Sequence, residues 1–101
     1  MIDDREFENY LEKNVTVVLK DNRYLYGTFK SYDQYNSITL NFVVERIFYE
    51  DQFAERRQGL VVVRGESIVL IGLCTPKLES LKKADFDILW EKIEKEKNPI
   101  Q

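Results

Sequence analysis

Two polar interruptions in otherwise apolar, alternating sequence constrain this chain more than any other feature. The first lies within Phe29-Lys30-Ser31-Tyr32-Asp33-Gln34-Tyr35-Asn36-Ser37-Ile38-Thr39-Leu40, the second within Val62-Val63-Arg64-Gly65-Glu66-Ser67. The first reads as a strand, a tight polar turn and the start of another strand. Its turn offers an acid at Asp33, a ring at Tyr35 and a short polar pair, Asn36 and Ser37. The second is an apolar strand that stops at Arg64-Gly65 and restarts at Ile68. A chain folded so that these turns meet pools a stacking surface, a planar cation, and amide and hydroxyl groups. Those are the parts that hold an unpaired base.

The totals narrow the setting. A chain of 101 residues makes one domain with room for a small core. Hydrophobic residues at 44% and charged ones at 33% are ordinary for a folded globular chain. No apolar run approaches the roughly 20 residues that cross a bilayer, so no membrane partner is expected. The start, Met1-Ile2-Asp3-Asp4-Arg5-Glu6, lacks the basic and apolar stretches of a secretory signal. The single cysteine, Cys74, allows no internal disulfide and fits a reducing compartment, cytoplasmic or nuclear. A net charge of −3 gives no global attraction for nucleic acid, so RNA binding must come from a few placed residues multiplied by partner subunits. There is no histidine, no glycine-rich phosphate loop and no metal-ligand spacing. Neither an enzyme activity nor a cofactor is expected.

In chain order, Asp3 or Asp4 caps a short helix whose Phe7, Tyr10 and Leu11 share a face. A helix this short holds only by laying that face over something apolar, such as the open end of a barrel. From Val15 the period becomes two: Val15, Val17 and Leu19 alternate with Thr16 and Lys20, and Asp21-Asn22 marks a hairpin. The second strand, about Arg23 to Tyr32, sets Leu25 and Phe29 against Tyr24, Tyr26, Thr28 and Lys30. Gly27 in its middle predicts a bend or the close approach of another backbone. In the third strand Ile38, Leu40, Phe42 and Val44 hold one face. Ile47 and Tyr49 take the opposite parity, which predicts a bulge around Val43 to Arg46.

Glu50 to Gln58, with Arg56-Arg57, reads as a solvated charged loop. Leu60 to Val63 and Ile68 to Ile71 do not alternate, and one small core cannot cover both faces of both runs. They are expected at interfaces with other chains, used up in a closed ring. After Cys74-Thr75-Pro76 the period turns helical from Lys77, with Leu78, Leu81, Phe86, Leu89, Trp90 and Ile93 as a stripe and Asp85 as the cap of a second segment. The charged tail from Glu94 to Gln101 is expected to fray. The whole predicts a mainly β fold, a small, strongly bent five-stranded antiparallel barrel of SH3-like type. It occupies residues 1–75, with a C-terminal helical extension over 76–101.

Leu19-Lys20-Asp21-Asn22-Arg23, Gly27-Thr28-Phe29 and Asp33-Gln34-Tyr35-Asn36-Ser37-Ile38-Thr39-Leu40 together resemble the first Sm motif. Val62-Val63-Arg64-Gly65-Glu66-Ser67-Ile68-Val69-Leu70-Ile71-Gly72 resembles the second. Over about Leu11 to Gly72 the chain therefore resembles the Sm and Sm-like (LSm) family. The resemblance implies the Sm fold, a helix-capped five-strand barrel whose fourth and fifth strands pair between neighbours into rings. The implied partners are six other Sm-like subunits. Asp33-Gln34 before an aromatic residue, Val44-Glu45-Arg46-Ile47 and the helical extension resemble the family member specific to the cytoplasmic heteroheptamer of 5′-to-3′ mRNA decay. That implies binding to the 3′ end of deadenylated mRNA, a decapping activator as partner, and a place in the cytoplasm and its processing bodies. Asn9-Tyr10-Leu11 resembles instead the member of a nuclear ring that binds the uridine-rich 3′ end of a spliceosomal small nuclear RNA. Both readings stay open.

By motif position, the resemblance implies that Tyr35 stacks on a base and Arg64 packs against or hydrogen-bonds one. Asp33 would brace the loop, and Gly65 would let the chain pass close to the RNA. Ser37 departs from the family, which has an asparagine there, and a hydroxyl cannot present paired donor and acceptor groups to a base edge. Asn36 substitutes only if the loop shifts, because adjacent strand positions face opposite ways. Arg64 also suits an ion pair with Asp33. The expected RNA-binding set is Asp33, Tyr35, Asn36, Ser37, Arg64 and Gly65. The expected ligand is single-stranded RNA with an oligouridine or oligoadenylate-type 3′ end. The C-terminal stripe fits a helix packed on its own domain; in the family the extension can instead cross the ring's opening. On a second reading the subunit is mainly a ring spacer whose helix recruits a decay factor.

Overall fold

The computed structural model describes residues 4–73 and 80–97. The cap expected at Asp3, the segment Cys74-Thr75-Pro76, Leu78 and the part of the tail from Asn98 onward lie outside the described residues, while 94–97, expected to fray, form the last turn of the C-terminal helix. Alternation from Val15 onward builds β1 (Asn14–Leu19), β2 (Tyr24–Tyr32), β3 (Ile38–Tyr49), β4 (Gln52–Val63) and β5 (Ile68–Gly72). A short β6 (Lys82–Lys83) and a helix, α1 (Phe86–Lys97), follow. The strand order is β5-β1-β2-β3-β4-β6, antiparallel throughout except where β6 joins β4. Val15, Val17 and Leu19 on β1 and Leu25 and Phe29 on β2 point into one core, none more than 5% exposed. The expected strongly bent antiparallel fold is present, with one short strand more than the sequence pattern suggests.

Asp4–Tyr10 winds as a 3-10 helix. Three residues per turn place Phe7 and Tyr10 directly above one another, and both cover one end of the core. The Phe7 ring is fully buried, 5.5 Å from Phe29 and 5.3 Å from Tyr32 between centroids. Burying that ring contributes roughly 2 kcal/mol and fixes a segment too short to hold alone. Leu11, expected on the same face, lies past the helix end and is exposed.

β3 breaks register with β4 twice, at Val43/Val44 inside the expected window and, where its phase changes, just before it. The register with β4 jumps from Leu40 opposite Val61 to Val43 opposite Gly59, leaving two residues, Asn41 and Phe42, against Leu60 alone. Phe42 adopts φ 54° and is 77% exposed. Inward parity resumes at Val43, Glu45 and Ile47, so Phe42 and Val44 leave the inner face on which alternation would place them. Across the bulge lies Gly27, where a Cβ would sit 2.8 Å from the Asn41 carbonyl oxygen. That is the close backbone approach the strand-interior glycine predicts.

Glu50 to Gln58 is not a loop. Glu50 and Asp51 alone turn the chain, and β4 begins at Gln52 and pairs back along β3. The charges that resemble a solvated connection are partners inside the sheet. Glu45 is 1% exposed and accepts hydrogen bonds from Arg23 Nη1 at 3.0 Å, Arg56 Nη2 at 3.0 Å and Gln58 Nε2 at 2.6 Å. Arg46 is paired with Glu55 directly across the strands.

Of the helical period expected from Lys77, the segment behind Asp85 is helical and residues 80–85 are not. Lys82–Lys83 pair with Gln52 and Phe53 as β6, and α1 starts only at Phe86. Asp85 caps it as expected, its Oδ1 accepting the Ile88 N–H at 3.2 Å. The helix packs on its own domain, with Leu89 fully buried against Ile47 and Ala54 and flanked by Phe86, Trp90 and Ile93. Among the described residues no helix is long and apolar enough to cross a membrane. Among the described residues β5 is a free edge at the other end of the sheet, and β6 covers β4 only at Gln52 and Phe53. Leu60, Val62, Val69 and Leu70 on these edges are 57–67% exposed.

Candidate nucleic-acid interface

The β2–β3 turn is built around one carboxylate. Asp33 Oδ1 accepts the backbone N–H of Tyr35 at 2.8 Å and that of Ser37 at 3.0 Å. The Asp33 N–H donates to the Ser37 carbonyl at 3.0 Å, and the Asn36 N–H to the Asp33 carbonyl at 3.1 Å. Asn36 takes φ 64°, a left-handed conformation that asparagine tolerates. Bracing is therefore what Asp33 does. With the backbone pinned, the Tyr35 ring projects into solvent at 75% exposure.

The second turn, Gly65–Ser67, is a single 3-10 turn closed by the Ser67 N–H donating to the Arg64 carbonyl at 3.0 Å. The Ser67 carbonyl accepts the Lys20 N–H at 2.9 Å, which ties this turn to the β1–β2 hairpin. Pairing of Ile38 with Val63, at the start of β3 and the end of β4, brings the two turns side by side. They touch at Gly65: a Cβ there would lie 2.7 Å from the Asn36 carbonyl oxygen and 2.9 Å from that of Tyr35. The missing side chain thus has a use inside the protein, because any side chain would wedge the turns apart. Asn36 faces this contact, and its Oδ1 is buried there without a hydrogen-bond partner.

Arg64 does not pair with Asp33. Its Nη1 lies 3.6 Å from Glu66 Oε1, with both side chains largely in solvent, and Asp33 is spent on its own turn. Exposed pairs of this kind are weak and readily exchanged for another acceptor. All six expected residues thus fall on two adjoining turns, with a free ring and an exposed guanidinium as the groups able to meet a ligand. Glu66 was not singled out as a partner of Arg64, although its position two residues along the same turn is a signal. Glu45 turns inward because the bulge that alternation signals in β3 already falls at Asn41 and Phe42, ahead of Glu45. Among the described residues no group of three or more His, Cys, Asp or Glu side chains is placed to hold a metal ion.

A small bent barrel with two polar turns meeting at one end, between exposed strand edges, defines a class that the comparisons bear out. Residues 5–73 match the LSM domain, and the chain belongs to that family. It is similar to the Saccharomyces cerevisiae LSM1–LSM7 complex subunit LSM1, 32% identical over 95 residues that cover 87% of this chain and 54% of the yeast protein. It is also similar to human U6 snRNA-associated Sm-like protein LSm8, 38% identical over 66 residues that cover 64% of this chain and 69% of the human one. The chain spans about half the length of the LSM1 relatives it matches. Among solved structures, a heptameric archaeal Sm protein superposes with a TM-score of 0.60 at 27% identity, covering 70% of this chain and 98% of the archaeal one. The fold also matches the Pyrococcus abyssii Sm protein solved with a uridine heptamer, with a TM-score of 0.62 at 23% identity, covering 73% of this chain and 100% of that one.

Proposed function

We propose that this chain is an RNA-binding subunit of a heteroheptameric Sm-like ring. That ring would bind the 3′ end of deadenylated mRNA in the cytoplasm and promote decapping and 5′-to-3′ decay with a decapping activator. The contact at Gly65 carries the reading: it joins the Tyr35 turn to the Arg64 turn and sets a stacking ring and a cation on one ledge. The exposed β4 and β5 edges on either side suit pairing with neighbouring subunits. The yeast relative is named as part of an LSM1–LSM7 complex, and the Pyrococcus Sm protein was solved with oligouridine.

The test assembles the chain with its six Sm-like partners and titrates labelled oligouridine. The double variant Tyr35→Ala, Arg64→Ala is expected to lose at least tenfold in affinity while the native mass of the ring is unchanged; equal affinity removes the reading. The similarity to human LSm8 favours a second one, a nuclear ring on the uridine-rich 3′ end of a spliceosomal small nuclear RNA. Sequencing RNA recovered with the tagged ring separates them: mRNA 3′ ends support the first and a small nuclear RNA the second. Recovery of the ring without RNA favours a spacer and docking role.

A further inference from the structure

At the far end of β3 from Tyr35 and Arg64, α1 and the β1–β2 turn flank a groove of about 280 Å³. Phe48, Trp90 and Ile93 form its apolar floor, and Asp21, Tyr49 and Glu96 stand on its rim. Glu96 is held in place by the Tyr49 hydroxyl, which donates to it at 2.9 Å. Asp21 pairs with Arg23 at 2.8 Å, whereas Glu96 receives a neutral hydroxyl donor and keeps its charge. Among the described residues no basic side chain lines the groove. The hydrogen bond to Glu96 first, then desolvation, and last the charges of Glu96 and Glu50 push the Tyr49 hydroxyl above its ordinary pKa.

We propose that this groove docks a short segment of a protein partner carrying a lysine or arginine next to an aliphatic or aromatic residue. The apolar side chain fills the floor. The cation sits on the rim near Glu96 and the Trp90 ring, where a carboxylate and an aromatic face both favour it. The same acidic rim repels phosphate, so a nucleic acid is the wrong occupant. The volume suits one or two side chains, not a folded domain. Phe48 and Tyr49 close the groove at the opposite end of the 12-residue β3 from the Tyr35 turn, while its Asp21 side neighbours the second turn through the Lys20 N–H to Ser67 carbonyl bond. This surface goes beyond the RNA reading and does not depend on it.

Random heptapeptides displayed on phage are selected on the full chain, and the recovered sequences are synthesised with a fluorophore and titrated by anisotropy. Peptides joining a cation to an apolar residue are expected. Their affinity should fall at least tenfold with Glu96→Lys or Trp90→Ala and stay unchanged with Ile88→Ala, an exposed position on the same helix. Because Trp90→Ala can loosen α1, Glu96→Lys is the deciding variant. The Tyr35→Ala, Arg64→Ala protein should bind the peptides as the parent does, so failure of the RNA reading leaves this one standing. Recovery of no peptide, of uncharged or acidic peptides, or of peptides indifferent to Glu96→Lys overturns it. Trp90 is the sole tryptophan. If oligouridine alone quenches its fluorescence, and Glu96→Lys strengthens that effect, the groove takes nucleic acid and the proposal also falls.

Discussion

Arg56 joins the barrel core to the C-terminal helix: its Nη2 donates to the buried Glu45 carboxylate at 3.0 Å, and its guanidinium carbon lies 4.3 Å from the Phe86 ring centroid. One side chain thus satisfies a charge inside the sheet and steadies the first turn of α1. A buried carboxylate with three donors is costly to disturb from either side, because the partners left behind are only partly solvated.

Glu45→Ala is therefore expected to cost about 2–3 kcal/mol in urea denaturation. The figure is held below the range for fully buried pairs because Arg23 and Arg56 are 34% and 48% exposed and regain water. Arg56→Ala should cost less and should also lower the helicity lost first on heating, followed by circular dichroism.

Leu89→Ala removes a fully buried side chain between α1 and the β3–β4 hairpin. A loss of about 3 kcal/mol from the helix–hairpin interface is expected. Trp90 fluorescence should shift to the red at denaturant concentrations where the barrel is still folded. A single coincident transition would show that helix and barrel unfold as one unit.

Gly65→Ala places a methyl group 2.7 Å from the Asn36 carbonyl oxygen. The two turns must separate, at about 1–2 kcal/mol of stability. Oligouridine affinity of the assembled ring should drop several-fold although neither Tyr35 nor Arg64 is altered. Full affinity would mean that the ledge tolerates a wider gap.

Tyr35→Ala should leave thermal stability nearly unchanged, since the ring is mostly in solvent. Loss of one stacked base predicts about 1–3 kcal/mol of RNA affinity. Tyr35→Phe should retain most of it, and a Phe variant as weak as the Ala one would point to the hydroxyl in place of the ring.

The hydrogen bond to Glu96 holds the Tyr49 hydroxyl above the ordinary tyrosine pKa of about 10. A folded pKa raised above the unfolded one gives stability that is complete below the unfolded value and lost as pH rises through the folded value. The contact should therefore hold through neutral pH and fail only in alkali. Tyr49→Phe should remove that alkaline step from a melting-temperature profile, and an identical profile would show that the contact does not contribute.

The elements themselves were largely legible. Val15, Val17 and Leu19 announce a strand by alternation, Asp21-Asn22 announces a hairpin, and Gly27 announces a close backbone approach. Each rests on local geometry that residues carry with them. Asp33 and its turn were legible for the same reason: an aspartate accepting the N–H groups just beyond it is a local event. The misreadings share a different cause. Charges from Glu50 to Gln58 looked solvated because their partners, Glu45 above all, lie on another strand. Lys82–Lys83 looked helical because the strand it joins is some thirty positions earlier in the chain.

By itself, then, the sequence determined which residues alternate, where the chain turns and which polar groups the two turns carry. Only the tertiary structure decided that Asn36 meets Gly65, that Arg64 faces Glu66 and not Asp33, and that Phe42 turns out while Glu45 turns in. Periodicity depends on neighbours within a few residues, whereas register, bulges and charge pairing depend on which distant strand arrives alongside.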